Sequence, residues 1–256
     1  MRIRVLGCSG GIGLGFHTSS YMVNHNVLID AGTGVGELSV AEMADIDHIF
    51  ISHAHMDHIA CLPLLIDTTI THRKKPVTIV ANRATINLLK AHIFNNAIWP
   101  DFSVIPSPKH PFIVYQEIAD NECLFLNDHC SITAIPVVHT IPTIAYQLTS
   151  KTGNSYVICG DTSIQDDFWH TLNAIPKLKG LAIEAAFSDS ENQLALISKH
   201  LSPNMLINEL SKLKQDVPIY VMHLKPNQSE TIIRELILHA SSFKISLLFN
   251  NQIIEI

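Results

Sequence analysis

Short apolar segments separated by polar turns recur along this chain, and most of them have the length of β-strands. Arg2 to Leu6 alternates between polar and apolar residues, and the segment from 19 to 30 indicates two strands that meet near 24–26. Further strands are predicted at 47–52, 77–80, 132–138, 144–148, 156–159, 181–184, 219–222, 247–249 and 253–254. We expect the last two to form a hairpin through Asn250 and Asn251.

Segments with the length and pattern of helices lie between several of these strands. Helices are predicted at 37–44, 59–70, 85–94, 191–199, from 203 onwards and at 231–240. Ser202 and Pro203 give one of these helices its N-cap and first residue, and Ser229 is a candidate cap for the last. Because no repeat or linker interrupts the sequence, we predict one domain over residues 1–256.

The composition narrows the class of protein. Apolar residues make up 47% of the chain and charged residues 16%, so a large core is expected. The net charge of −6 argues against a surface for nucleic acids but allows a small anionic substrate, provided that metal ions supply positive charge. Five cysteines without a C-x-x-C pair predict reduced thiols and a cytoplasmic protein. No apolar segment reaches the ~18 residues expected of a membrane span.

Residues 53–58, His-Ala-His-Met-Asp-His, are the most informative segment, because four of the six side chains are good metal ligands. These four side chains cannot all point the same way from a helix or a strand, and they suit a turn that surrounds two metal ions. A predicted strand precedes this turn and a predicted helix follows it. The turn is therefore expected at the carboxyl end of a strand, where open α/β sheets bind ligands.

Three further potential ligands, His139, Asp161 and His223, also come just after apolar strands. If the strands belong to two packed sheets, the ends of the strands converge on one side of the sandwich. These side chains then meet residues 53–58. One ion would then be held by His53, His55 and His139, the other by Asp57, His58 and His223, with Asp161 bridging the two. This mixture of imidazole and carboxylate ligands suits zinc, with manganese and iron as alternatives.

Three other segments have a composition that suggests a function. Residues 7–15 are rich in glycine without forming the G-x-G-x-x-G pattern, and we predict a tight loop near the site. The basic residues at 72–75 could attract a phosphate, although a solvated loop is favoured. The proline-rich connection 95–111 is long enough to be functional, and its Trp99 either stacks on a purine or anchors the loop by packing.

The potential ligands resemble, in order, the ligand motifs of the metallo-β-lactamase superfamily. H-x-H-x-D-H at 53–58, then His139, the aspartate of Gly160-Asp161-Thr162 and His223 match those motifs, and the resemblance covers essentially the whole chain. It implies an α/β (α+β) fold, the αββα sandwich in which helices flank two mixed β-sheets. True lactamases usually have a cysteine in place of Asp161, so the resemblance does not imply a lactamase.

Two phosphodiesterase branches of this superfamily look most similar, the ribonuclease Z group and the class II cyclic-nucleotide phosphodiesterases. Both have a histidine motif before the last ligand, which reads His200-Leu201-Ser202 here. The class II branch also resembles this chain at 95–102 and 183–187. Met56 replaces the usual leucine of its signature and Cys61 a usual glycine, and neither change affects a ligand.

The class II resemblance implies hydrolysis of 3′,5′-cyclic nucleotides, cyclic AMP or cyclic GMP, to nucleoside 5′-monophosphates. A hydroxide that bridges two divalent metal ions would attack phosphorus in line with the 3′ oxygen. Asp57 would both bind metal and orient the nucleophile, and His200 would stabilise the phosphoryl group and protonate the leaving oxygen. His200 could instead be a helix-capping or core residue. Glu184 is either the partner of a ligand histidine or an ordinary strand-end carboxylate.

Two other activities stay open for the same metal centre. A ribonuclease Z-like endonuclease would process the 3′ end of tRNA precursors, but that group often carries a basic arm between 139 and 161, where this sequence has room only for a hairpin. A lactonase or small-ester hydrolase would need no phosphate pocket. The expected partner is therefore a small cyclic nucleotide rather than a nucleic acid or a membrane, and family analogy adds a homodimer.

Overall fold

The computed structural model describes residues 1–127, 130–239 and 243–256. Ala240, the predicted end of the last helix, lies outside the described residues. The β-strands of the described residues are β1 (Arg2–Gly7), β2 (Ser20–Val23), β3 (Val27–Ile29), β4 (His48–Phe50), β5 (Val77–Ala81), β6 (Pro106–Ser107), β7 (His110–Pro111), β8 (Ile113–Glu117), β9 (Cys123–Asn127), β10 (Cys130–Val137), β11 (Thr143–Ser150), β12 (Ser155–Ile158), β13 (Leu178–Glu184), β14 (Ile219–Met222), β15 (Ile245–Leu247) and β16 (Ile253–Glu255).

Short helices connect many of these strands. The α-helices of the described residues are α1 (Val40–Ala44), α2 (Met56–Ile59), α3 (Leu62–Thr69), α4 (Arg83–Leu88), α5 (Asp167–Ala174), α6 (Asn192–Ser198), α7 (Pro203–Leu210) and α8 (Ser229–His239). Helical turns of the 3₁₀ or π type lie at Thr33–Glu37, Ile70–His72, Leu89–Ile93 and Asp189–Glu191. No helix in the described ranges combines the length and the hydrophobicity that crossing a bilayer requires.

The strands form two sheets of seven strands each, and both sheets are mixed. The first has the order β16-β1-β2-β3-β4-β5-β8 and the second the order β15-β14-β13-β12-β11-β10-β9, while β6 pairs with β7 as a separate hairpin. In the first sheet β3, β4, β5 and β8 run parallel, and the other pairs are antiparallel. In the second sheet β12 to β15 run parallel and β9 to β12 antiparallel.

Three apolar clusters separate four layers. Between the sheets, Phe50 of β4 lies edge-on to Tyr146 of β11 with 5.4 Å between ring centroids, a geometry that contributes about 0.5–1.5 kcal/mol beyond burial. Leu65 of α3 packs in the cluster outside the first sheet, and Leu206 of α7 packs in the cluster outside the second. The αββα sandwich is therefore confirmed. Trp99 packs at the edge of the outer cluster on the first sheet, which favours the packed anchor over a purine contact.

Serine side chains cap two of the helices. The Ser39 hydroxyl accepts from the backbone N–H of Glu42 while the Glu42 carboxylate accepts from Ser39 N–H, so α1 begins with a capping box. Ser202 caps α7 by accepting from Met205 N–H, as predicted. The cap predicted at Ser229 is wrong, because α8 begins at Ser229 itself and its hydroxyl donates to the Pro226 carbonyl oxygen.

The predicted hairpin near the carboxyl terminus is also wrong. β15 runs parallel to β14 in the second sheet, whereas β16 runs antiparallel to β1 in the first. Residues 248–252 therefore cross between the sheets, with Asn251 N–H donating to the Val5 carbonyl oxygen at 2.6 Å. Leu248 and Ile254 both enter the core between the sheets, and burial of these two side chains on opposite sheets outweighs the local turn tendency of Asn250-Asn251.

Candidate metal centre

His53, His55 and His139 meet just past the ends of β4 and β10, where they face one oxygen of Asp161. The Nε2 atoms of His53 and His139 lie 3.6 and 3.7 Å from Asp161 Oδ2. His55 Nδ1 is close to both rings, 3.0 Å from Nε2 of His53 and 3.2 Å from Nε2 of His139. Ligand atoms of these four residues all lie within 4.8 Å of one another, so they could hold one ion.

Asp57, His58 and His223 form a second group at the other oxygen of Asp161. His58 Nε2 lies 3.2 Å from Asp161 Oδ1, and His223 Nδ1 lies 3.3 Å from it. Asp57 Oδ2 is 4.0 Å from His58 Nε2 and 3.6 Å from His223 Nε2. These four residues also present ligand atoms within 4.8 Å of one another. The structure thus brings all seven predicted ligand residues together, with Asp161 between the two groups.

Burial and mutual charge determine the protonation of these side chains. Burial alone would raise the pKa of Asp161, but His223 and His58 outweigh it and hold that pKa well below its usual value. Burial lowers the pKa of His139 to about 4 and the pKa of His223 to about 3. An ionised carboxylate and neutral imidazoles are the forms in which these side chains bind metals.

Several buried polar atoms at the middle of the two groups have no hydrogen-bond partner among the described residues. They are His58 Nε2, Asp161 Oδ1 and both ring nitrogens of His223. One unpaired buried polar group costs about 1–3 kcal/mol, so a concentration of them indicates a ligand that the side chains themselves do not provide. Converging nitrogen and oxygen atoms of this kind fit a divalent cation.

Polar groups behind the site orient two of its imidazoles. His58 Nδ1 donates to Asp30 Oδ2 at 2.7 Å. His53 Nδ1 lies 3.0 Å from the Ser52 hydroxyl, which donates to Asp30 Oδ2 at 2.9 Å. Burial would lower the pKa of His58, but Asp161 and Asp30 outweigh it and raise that pKa well above its usual value. With Nδ1 engaged, each ring presents Nε2 to the middle of the site.

Three non-glycine residues around the site, Asp30, Lys199 and His223, have left-handed backbone conformations with φ of 56°, 53° and 62°. Such conformations cost of the order of 1–3 kcal/mol and persist where the surroundings hold them. His223 N–H donates to the Cys8 carbonyl oxygen at 2.6 Å. The Lys199 carbonyl oxygen accepts from His139 Nδ1 at 3.0 Å, and Lys199 Nζ donates to the His139 carbonyl oxygen at 3.1 Å. The strained residues therefore hold ligand side chains in place.

His200 lies beside both groups. Its ring stacks on His223 with 5.5 Å between centroids and meets the ring of His139 edge-on at 5.0 Å. His200 Nδ1 donates to Glu184 Oε1 at 2.8 Å, and the same oxygen accepts from Thr162 N–H at 2.7 Å. Burial would lower the pKa of His200, but the Glu184 carboxylate outweighs it and raises that pKa. Glu184 is thus the partner of His200 rather than of a predicted ligand histidine.

Two glycines allow the backbone to approach the site closely. A Cβ atom at Gly10 would lie 2.4 Å from the His223 carbonyl oxygen, and one at Gly32 would lie 2.3 Å from the Asp57 carbonyl oxygen. Gly10 N–H also donates to the Leu224 carbonyl oxygen at 3.0 Å. The glycine-rich loop predicted near the site is therefore confirmed, and a side chain at either glycine would displace a segment that carries potential ligands.

Three residues of the site, Asp30, Ser52 and Lys199, were not predicted from the sequence. Asp30 directly follows β3, so the rule that singled out polar residues at strand ends could have found it. Ser52 directly precedes the ligand turn. Lys199 orients the His139 ring through its backbone carbonyl oxygen, for which no sequence pattern exists.

We expect Asp30→Asn to weaken metal binding about 10–100-fold. An amide nitrogen in place of Asp30 Oδ2 would face His58 Nδ1–H, and in place of Oδ1 it would face Ser52 N–H, so one hydrogen bond is lost in either orientation. Competition with a chromogenic chelator measures the affinity. Asp45→Asn, at an exposed carboxylate, is the matched control, and equal affinities for the two variants would contradict the orienting role.

Comparison with known proteins gives the family. Residues 38–239 match the model of the cAMP phosphodiesterases class-II. The 3′,5′-cyclic-nucleotide phosphodiesterase of Aliivibrio fischeri is 25% identical over 96% of this chain and 89% of its own length. Three other relatives that are named as 3′,5′-cyclic-nucleotide phosphodiesterases are longer than this chain, which covers 61, 60 and 65% of their respective lengths.

Solved structures give the fold. The crystal structure of unliganded yeast PDE1 has a TM-score of 0.81 at 21% identity and covers 98% of both chains. The metallo-beta-lactamase fold protein YhfI from Bacillus subtilis has a TM-score of 0.79 at 17% identity and covers 99% of both chains. At these identities the likeness shows the architecture rather than the activity.

The sandwich and its His and Asp groups have the architecture of the metallo-β-lactamase fold. The family match and the similar phosphodiesterases give the class of protein, a metal-dependent hydrolase. Within this class, the chain belongs to the family of class-II cAMP phosphodiesterases, because the model of that family matches most of it. The predicted resemblance is confirmed.

Proposed function

We propose that this enzyme hydrolyses 3′,5′-cyclic nucleotides, cyclic AMP or cyclic GMP, to nucleoside 5′-monophosphates. The observation that carries the proposal is the pair of ligand groups that share Asp161 beside His200, in a chain of the class-II family. The Aliivibrio fischeri relative is named for this activity and aligns with nearly the whole chain. The net charge of −6 allows a small anionic substrate, provided that metal ions supply positive charge at the site.

The proposal includes two divalent ions, with zinc as the first choice and manganese or iron as alternatives for the same donors. When bound, the ions supply an acidified water and neutralise the negative charge of the phosphate. One ion would be held by His53, His55, His139 and Asp161, and the other by Asp57, His58, His223 and Asp161.

His200 and Asp57 are the two residues to which we assign proton transfer. Glu184 accepts from His200 Nδ1, so His200 Nε2 is the atom that can reach a substrate. As the bond between phosphorus and the 3′ oxygen breaks, His200 Nε2 gives its proton to that oxygen, and the oxygen of water joins phosphorus. Asp57, whose side chain is 25% exposed, orients the water and takes its proton. The products are a 5′-phosphate group and a free 3′-hydroxyl.

The proposal also includes a single domain over residues 1–256 and a location in the cytoplasm. Potential ligands follow strands of both sheets, His53 after β4 and Asp161 after β12, so the site needs both halves of residues 1–256 as one domain. The structure pairs none of the five cysteines, which supports a location in the reducing cytoplasm.

The test is a hydrolysis assay of the zinc-loaded protein with cyclic AMP, cyclic GMP and a tRNA precursor. We expect a cyclic nucleotide to yield its 5′-monophosphate, a chelator to abolish the reaction, and added zinc to restore it. Cleavage of the precursor without hydrolysis of either cyclic nucleotide would overturn the proposal in favour of a ribonuclease Z-like enzyme. Activity confined to lactones or simple esters would overturn it in favour of the third candidate.

A further inference from the structure

The basic residues at 72–75 and the proline-rich connection 95–111, which the metal centre does not use, meet at one cavity. Its volume is about 510 Å³, within the range of pockets that bind small molecules. Its walls come from the end of α3, the segment before β5, the hairpin of β6 and β7, and the start of β8. Segments well separated in the sequence thus form one concave surface.

Backbone hydrogen bonds hold the proline-rich connection beside the basic residues. Phe112 N–H lies 3.0 Å from the carbonyl oxygens of Phe102 and Ile105, and donates to both. The Phe112 carbonyl oxygen accepts from Val77 N–H at 2.9 Å, which attaches the connection to the start of β5. The hairpin of β6 and β7 then places Lys109 at its turn, on the wall of the cavity.

The wall of the cavity is strongly positive. Arg73, Lys74, Lys75 and Lys109 line it, and no carboxylate is among the described residues that do so. Asp47 approaches from outside and lies 3.0 Å from Lys75 Nζ and 3.7 Å from Arg73 Nη2. It therefore pairs with Arg73 and Lys75, and Lys74 and Lys109, both exposed, are left for an anionic ligand.

The same cavity has an apolar wall. The half-buried ring of Phe112 lines it together with Ile70 and Pro111. Phe102 holds that ring edge-on, with 5.8 Å between centroids, so its orientation is defined. Stacking of a base on such a ring contributes about 1–3 kcal/mol. An inorganic anion would gain nothing from this wall, whereas a nucleoside phosphate would use both walls.

The cavity and the metal centre lie at opposite ends of the strands of the first sheet. β4 and β5 run parallel, with His48 opposite Thr78. The ligand turn at 53–58 follows the carboxyl end of β4, whereas the cavity adjoins Pro76 at the amino end of β5. A ligand in the cavity therefore does not contact the potential metal ligands.

We propose that this cavity binds a nucleoside monophosphate at a site separate from the metal centre. Lys74 and Lys109, with His110 beside them, face the phosphate group, and the base lies against Phe112. No residue of the metal centre takes part, so the inference does not depend on the proposed hydrolysis.

The test is photolabelling of the whole, metal-loaded chain with 8-azido-AMP, followed by peptide mapping. Label is expected in peptides that contain 66–76 or 106–114. Excess AMP is expected to prevent this labelling, whereas the same concentration of adenosine or inorganic phosphate leaves most of the label in place.

The variant that tests the site combines Lys74→Glu with Lys109→Glu. It is expected to lower this labelling by at least about tenfold, because each change places a negative charge where it repels the phosphate. Cyclic AMP hydrolysis by this double variant stays at the level of the unmodified protein.

The matched control combines Lys151→Glu with Lys214→Glu, which makes the same change of charge at two exposed lysines that do not line the cavity. This variant keeps the label at the cavity peptides. Undiminished labelling of Lys74→Glu/Lys109→Glu, or label confined to peptides of the metal centre, would overturn the site. Competition by inorganic phosphate as strong as that by AMP would overturn the choice of a nucleotide. Failure of cyclic AMP hydrolysis would count against the proposed function alone.

Discussion

Asp161→Ala is expected to leave well under two divalent ions per chain and to lower cyclic AMP turnover on the order of 10³-fold or more. Asp161 lies between the two ligand groups, with Oδ1 3.2 Å from His58 Nε2 and Oδ2 3.6 Å from His53 Nε2. Its loss would remove one oxygen ligand from each ion and the negative charge that lies between the two ligand groups. Metal content is measured by plasma mass spectrometry after dialysis, and turnover by release of 5′-AMP.

The control for this variant is Asp166→Ala, which removes a carboxylate a few residues further along the same loop. Asp166 pairs with Lys212 at the surface, and its side chain is 76% exposed, so metal content and turnover should not change. A thermal unfolding curve of each variant checks that both are folded. Two ions per chain in folded Asp161→Ala would contradict the assignment of Asp161 as the shared ligand.

The potential ligands could be predicted because each is marked by a local pattern. The turn at 53–58 carries four ligand residues in six positions, and His139 and His223 each come just after an apolar strand. Strand ends on the same side of two packed sheets converge, so the local pattern was sufficient to predict the convergence. Whether these side chains bind metal stays a prediction, and Asp161→Ala tests it.

The residues behind the ligands were missed because their roles depend on contacts between distant segments. Asp30 meets His58 because β3 lies beside β4 in the first sheet, and the order of strands cannot be read from either segment alone. Lys199 meets His139 across 60 residues of sequence, and the His139 ring donates to the Lys199 backbone carbonyl oxygen, which carries no sequence signature. Away from the metal centre, the same reason applies to Arg73. It belongs to the basic stretch at 72–75, for which a solvated loop was predicted, yet its side chain is only 7% exposed because it pairs with Asp47 of a distant segment.

The errors in the fold have the same origin. Residues 247–254 have the local pattern of a hairpin, but pairing with strands of different sheets separates β15 from β16. Helix α5 was not predicted, since its apolar residues are largely aromatic and favour strands locally. It forms because Phe168, Trp169 and Leu172 share one buried face against the second sheet. Tertiary burial therefore determined these elements against their local tendency.

His200→Ala is expected to lower cyclic AMP turnover by about 10²–10⁴-fold while metal content stays at two ions per chain. His200 stacks on His223, but it belongs to neither predicted ligand group, and Glu184 engages its Nδ1 at 2.8 Å. Removing the ring therefore takes away the proposed proton donor without removing a ligand. Metal analysis and the rate at saturating substrate measure the two effects separately.

The leaving group distinguishes an acid from a residue that only supports the fold. The 3′-alkoxide of a nucleotide needs a proton as it leaves, whereas p-nitrophenolate is a stable anion. With bis(p-nitrophenyl) phosphate, the deficit of His200→Ala should therefore shrink to less than about tenfold. His239→Ala, at a histidine of α8 that pairs with Asp189 near the surface, should leave both rates unchanged. Equal losses on the two substrates would contradict the role of His200 as the acid and would leave it with stabilisation of the phosphoryl group or support of the fold. The proton for the 3′ oxygen would then have to come from another group.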